Sequence, residues 1–276
     1  MYLYKYVAPE RLDILENLRI RFTQPSAEND PFEFRPLVNR FRSPSKARET
    51  LERRWDLQFA EGLGQLDPAT QEFLKKRPAL ERSLRERGLA KADYMSDTAA
   101  QDEIFKRLDA AVGILSLSEV PDSSLMWCRY AADHAGFVFE FEASHAWFHA
   151  RALDNDDTHE LRRVTYVDIP SSQYLSELNA HEVLYSKQKT WQCEREWRII
   201  RPLAEGSSNI GGIYLFPVPP AALTGVIVGS RTTDESIERL ARIVTANPQL
   251  MHLHVGCADC DPCSQTVEIR WAEIAA

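Results

Sequence analysis

After Gly113 the chain is a succession of short apolar runs separated by brief polar and helix-like stretches, and this pattern constrains the fold more than any other feature. Such a mixture indicates strands from several parts of the chain joining one sheet. The candidate strands run from Ile114 to Leu117, Phe137 to Phe141, Val164 to Val167, Trp197 to Ile200, Ile213 to Phe216, Val226 to Val228 and Val267 to Trp271. Between them SSLMWCRYAADH, SHAWFHARAL, the stretch from Ser171 to Glu194 and TDESIERLARIV have helical character. At the start, Tyr2, Tyr4 and Tyr6 alternate with Leu3, Lys5 and Val7, the period of a strand. Pro9 then suits the first turn of a helix, Ile20 and Phe22 mark a short strand, and Asn29-Asp30-Pro31 reads as an ordered loop. From Pro44 to Val112 the composition turns to Arg, Glu, Leu, Ala and Lys with helical spacing at Leu51, Trp55, Phe59 and Leu63. No linker or repeat divides the chain. The expectation is one α+β domain over residues 1–276, a mixed, mostly antiparallel sheet with a helical insertion over residues 44–112.

Charge and cysteine usage limit the possible partners. A net charge of −8 supplies no general basic surface for nonspecific binding of nucleic acid or anionic lipid. No apolar run approaches the roughly 20 residues that cross a bilayer, and the N-terminus reads as a strand, so a cytoplasmic protein without a membrane partner is expected. Five cysteines, an odd number with Cys128 and Cys193 isolated, argue against a secreted disulfide framework.

Two strings carry the chemistry. Glu194-Arg195-Glu196-Trp197 places two carboxylates on one face of a strand, where each raises the pKa of the other and the pair can divide proton transfer from charge stabilisation. The alternative is that Arg195 and Arg198 pair with nearby acids on a solvated strand edge. Ser116 and Ser118 share a face with Leu117 opposite, so two hydroxyls can meet a ligand ribose or phosphate, or a neighbouring strand. Trp127 and Tyr130 lie at i and i+3 on a helix start, a packing pair or a stacking platform. Helical i, i+4 spacing would set Lys187 beside Trp191. Cys257, Cys260 and Cys263, with His254 or His252 as a fourth ligand, have the thiolate density of a structural zinc site; without metal the segment is a turn between terminal strands. His134, following Asp133, reads as a helix C-terminal histidine. There is no G-x-G-x-x-G, P-loop, H-E-x-x-H or G-x-S-x-G, which removes the commonest routes to dinucleotide oxidoreduction, nucleotide hydrolysis, metalloproteolysis and esterase chemistry.

Leu3 to Tyr6, Asn29 to Glu33, Ser116 to Glu119, Met126-Trp127 with Tyr130, Gly136 to Val138 and the run from Lys187 through Trp191 to Arg198 resemble successive landmarks of the bacterial domain-of-unknown-function family 2971. More distantly, a basic residue on the first strand, a central S-x-S and a late E-x-E are similar in order to ADP-ribosyltransferases of the arginine–serine–glutamate type. That resemblance implies an ADP-ribosyltransferase-like fold that consumes NAD as a toxin or phage-defence effector, with a protein or nucleic-acid acceptor. Lys5, beside Tyr6, would contact the NAD phosphates, Ser116 and Ser118 would order the ribose pocket, and Tyr130 or Trp127 would stack on nicotinamide. Glu196 would stabilise the oxocarbenium-like transition state and Glu194 would orient or deprotonate the acceptor. Lys5 stands where that type has arginine, and Leu117 where it has threonine. Two other classes compete: a noncatalytic nucleotide or nucleic-acid binding module, and a metal-dependent hydrolase or nuclease using Asp30, Glu33, Glu194 and Glu196.

Overall fold

The computed structural model describes residues 1–35, 38–40, 67–76, 83, 97–149, 159–168, 173–174, 180–261 and 263–272. The strands are β1 (Tyr2–Val7), β2 (Arg19–Phe22), β3 (Val38–Arg40), β4 (Val112–Ser118), β5 (Phe137–Glu142), β6 (Arg162–Arg163), β7 (Thr165–Val167), β8 (Gln173–Tyr174), β9 (Ser186–Gln188), β10 (Glu196–Pro202), β11 (Ser208–Ile210), β12 (Ile213–Pro217), β13 (Leu223–Val228), β14 (His254–Asp261) and β15 (Thr266–Trp271). The α-helices are α1 (Asp13–Asn17), α2 (Pro68–Lys75), α3 (Asp97–Ala111), α4 (Ser124–Tyr130), α5 (Ala180–Tyr185) and α6 (Asp234–Ala246). The chain divides into two compact units: residues 1–33, 107–169 and 185–276 form the first, and 34–106 with 170–184 the second.

The first unit is built on an eight-stranded sheet in the order β15-β14-β13-β5-β1-β4-β10-β6. Its ladders are antiparallel apart from the parallel pair β13–β14, so the α+β class and the mostly antiparallel sheet stand. Alternation divides the side chains of β5 cleanly: Phe137, Phe139 and Phe141 enter one core with Leu3, Val7, Leu115, Leu117 and Ile199. Val138 enters a smaller core on the opposite face with Tyr6, Met126, Trp127 and Ile227. Each fully buried phenylalanine contributes about 1.5–3 kcal/mol relative to an exposed one. The amphipathic helix α6 is capped by Thr233, whose side chain accepts from the Ser236 amide, and buries Leu240. A separate sheet, β11-β12-β2, carries Ile20, Phe22 and Phe216 into the larger core.

In the second unit β3 and β8 pair in parallel, α2 is helical, and Arg35 lies over the ring of Phe105 while pairing with Asp102. Most of the helical insertion expected over residues 44–112 lies outside the described residues, but 68–75 and 97–111 are helical within it.

Two local expectations change. Within SHAWFHARAL the described residues 144–149 form a 3-10 turn over Ala146–Phe148, with Trp147 and Phe148 both buried in the core, while residues 150–153 lie outside the described residues. The cysteine segment is a turn between terminal strands only around Cys263: Cys257, Cys260 and Gly256 lie on the strand His254–Asp261, β14, which sits between β13 and β15.

Candidate active site

The sheet is opened between two of its central strands. β1 pairs with β5 along its whole length, and β4 pairs with β10 along its whole length, yet β1 and β4 pair only where Tyr4 faces Ser118. At the other end of β4, Thr23 takes the neighbouring position and bonds Ile114 in both directions. Among the described residues the middle of β4 therefore has no ladder partner on that side, and its carbonyl groups need donors from elsewhere. Lys5 supplies one: its ammonium donates to the Ser116 carbonyl at 2.9 Å. Burial lowers the Lys5 pKa, with Glu28 and Glu196 opposing.

An open cleft lies at this gap. Tyr4, Lys5 and Tyr6 line it from β1, Ser116 to Ser118 from β4, Glu28 and Asn29 from a loop, Met126 and Tyr130 from α4, and Lys187, Glu194 and Glu196 from the far side. The sequence-expected residues Lys5, Tyr6, Ser116, Ser118, Tyr130, Glu194 and Glu196 thus come together.

Behind the cleft is a buried ionic cluster that the sequence reading treated only in pieces. Lys187 Nζ lies 2.9 Å from Glu194 Oε2, 2.8 Å from Glu196 Oε2 and 3.6 Å from Glu33 Oε2. Arg198 grips Glu196 with two nitrogens, Nε at 2.6 Å and Nη2 at 3.0 Å, and also donates to Glu33 Oε1. All five groups are buried. The solvated-edge alternative for Arg198 is overturned: its side chain is 1% exposed and its carboxylate partners come from a distant loop and from its own strand. Burial alone would weaken the charge on Lys187, but Glu196 and Glu194 hold its pKa above the ordinary lysine value. Burial raises the Glu196 pKa, with Lys187 pulling the other way. Burial lowers Arg198 to about 10, which leaves it charged at neutral pH.

The carboxylates reach Lys187 by a route different from simple alternation. Glu194 ends a 3-10 turn, Arg195 adopts a left-handed conformation at φ 43°, and β10 starts only at Glu196. Lys187 likewise lies on β9 instead of a helix, and its ammonium still sits 5.0 Å from the Trp191 ring centroid. Tyr130 completes the wall. Its hydroxyl donates to Glu194 Oε1 at 2.6 Å and accepts from Asn29 Nδ2 at 2.8 Å. Burial and then the hydrogen bond to Glu194 raise its pKa, so it remains a donor.

Other expected residues are placed differently. Ser118 borders the cleft, but its hydroxyl is committed to backbone: it donates to the Glu194 carbonyl at 2.7 Å and accepts from the Val120 amide at 3.1 Å. Trp127 does not line the cleft. It is fully buried, edge-on to Tyr6, with its indole donating to the Pro121 carbonyl, so it packs and does not stack on a ligand. Cys257, Cys260, Cys263 and His254 are not gathered either: Cys257 and Cys260 are three residues apart on β14 and so face opposite sides of it. His254 is turned to Glu140 at 3.1 Å and to the edge of Trp271. Among the described residues no group of three or more His, Cys, Asp or Glu side chains is arranged to hold a metal ion. Glu33, Glu194 and Glu196 converge, but on the ammonium of Lys187, while Asp30 caps the Phe32 amide.

Sequence reasoning missed Lys187 as the centre of the cluster and Glu33 as its third acid. The available signal was the coexistence of an acidic loop and a Lys-x₆-Glu-x-Glu-x-Arg string, which needs tertiary pairing to be read. Among the described residues no helix is long and apolar enough to cross a membrane. Comparison with curated proteins and with solved structures finds no match. Residues 126–199, which hold Tyr130, Lys187, Glu194, Glu196 and Arg198, match the family described as Protein of unknown function (DUF2971).

Proposed function

We propose that the chain is an NAD-consuming, ADP-ribosyltransferase-like enzyme whose β1–β4 cleft receives the nicotinamide-ribose end of the dinucleotide. The observation that carries this reading is convergence: Lys5 and Tyr6, Ser116, and Glu194 with Glu196 come from three distant parts of the chain to line one opening. In this role the Ser116 hydroxyl bonds the ribose, and Tyr130, fixed by Asn29 and Glu194, presents its ring to nicotinamide. Glu196 stabilises positive charge as the ribose–nicotinamide bond breaks and nicotinamide departs. Glu194 accepts the proton given up by the attacking group.

One observation favours a second reading, a nucleotide-binding module without turnover. Both oxygens of Glu196 already contact cations, Oε1 with Arg198 and Oε2 with Lys187 and Arg198, and this offsets the charge that the transition state would use. Labelled NAD, incubated with the purified protein alone and with cell extract, separates the two. Release of nicotinamide or transfer of label that disappears in Glu196→Gln supports the enzyme. Saturable binding without turnover supports the module, and neither binding nor turnover at high protein concentration overturns both.

A further inference from the structure

Away from the cleft, Cys260 on β14 is exposed, and its Sγ lies 3.7 Å from His134 Nδ1 and 3.3 Å from Ser230 Oγ. His134 is only 7% exposed and stacks on Trp127, with ring centroids 5.9 Å apart and planes 11° from parallel. Among the described residues the thiol is the only hydrogen-bonding partner of its ring. The backbone goes to unusual lengths to put the imidazole there. Ala132, Asp133 and His134 are three consecutive non-glycine residues with positive φ, at 48°, 54° and 69°, a conformation L-residues avoid and that persists only where surroundings enforce it. The enforcement is visible: the His134 carbonyl accepts from the Arg231 amide, and a Cβ on Gly229 would meet that carbonyl at 2.2 Å.

We propose that Cys260 is a nucleophilic thiol with His134 as its base, forming a site for soft electrophiles of the disulfide class. Burial, and then the charge of Arg231, lower the His134 pKa, Asp133 opposing, so the ring is neutral at physiological pH and Nδ1 is free to take the thiol proton. Sγ then attacks one sulfur of the disulfide: the new S–S bond forms, the old one breaks, and the departing thiolate recovers the proton from the imidazolium. Ser230 donates to the attacking sulfur. The other cysteines lack this arrangement. Cys128 is hydrogen-bonded to the Asp133 carboxylate at 2.9 Å, and that anion raises its pKa. Cys257 and Cys263 are exposed on the same β-hairpin, and among the described residues neither thiol is hydrogen-bonded to an imidazole.

Site-resolved alkylation of the whole protein with iodoacetamide at neutral pH, followed by peptide mass spectrometry, tests the proposal with those two cysteines as internal controls. Cys260 is expected to react about tenfold faster than Cys257 and Cys263 and to be the first to form a mixed disulfide with oxidised glutathione. In His134→Gln its rate falls to roughly that of the controls. Equal rates for the three cysteines in the unaltered protein overturn the proposal whether or not the variant folds, and an undiminished Cys260 rate in a folded His134→Gln protein removes the base.

Discussion

Replacing Lys187 by Met keeps much of the aliphatic stem and removes the ammonium on which three carboxylates converge. At an effective dielectric constant near 20, each of the two contacts shorter than 3 Å is worth about 6 kcal/mol before desolvation is subtracted. The net effect of the substitution is governed by what it leaves behind: Glu33, Glu194 and Glu196 buried with Arg198 as their remaining buried cation. Removing one member of a buried ion pair costs about 3–5 kcal/mol, a large part of the roughly 5–15 kcal/mol that holds a domain together. The cost has a sign in pH. Burial already raises the Glu196 pKa against Lys187, and without Lys187 the rise is larger. A carboxyl with a raised folded-state pKa stabilises fully below its unfolded-state pKa and loses that contribution as pH climbs through the folded-state value. The deficit of Lys187→Met is therefore largest near pH 8 and shrinks toward about pH 5, where the protein takes up a proton in place of the ammonium. Urea denaturation of both proteins across that range measures it. A deficit below about 1 kcal/mol that does not vary with pH would refute the reasoning, because it would mean that the carboxylates are solvated when the lysine is gone.

Ser118→Ala leaves the Glu194 carbonyl and the Val120 amide without their side-chain partner, and is expected to cost about 1–3 kcal/mol in thermal unfolding. A neutral result would show that the hydroxyl is free for a ligand. Tyr130→Phe removes one donor to Glu194 and one acceptor for Asn29, so stability is expected to fall by only about 0.5–1.5 kcal/mol. Calorimetric titration with NAD is expected to show weaker binding in the same variant; unchanged affinity would place nicotinamide away from this wall.

Period-2 alternation located β1, β4, β5, β10 and β15 to within a few residues, because each buries at least one apolar face whose spacing is written locally. It missed β14 as a strand. HVGCADCD shows no clean alternation, and the segment is held in place by its neighbours β13 and β15. The same limit applied to the site. Ser116, Ser118, Glu194 and Glu196 were nominated from short strings, but nothing local distinguishes the cleft-lining Ser116 from Ser118, whose hydroxyl is spent on backbone. Trp127 and Tyr130 looked equivalent at i and i+3, yet one helix turn and the packing of Tyr6 send the first into the core and the second to the cleft.

By itself the sequence determined the α+β class, most of the strands of the opened sheet and the residue types available for chemistry, since these follow from side-chain periodicity and composition. Tertiary structure alone decided that β1 and β4 part after one pair, that Glu33 crosses from a distant loop to Arg198, and that His134 meets Cys260. Those are contacts between residues far apart in the chain, fixed by which strands become neighbours, and no local pattern encodes them.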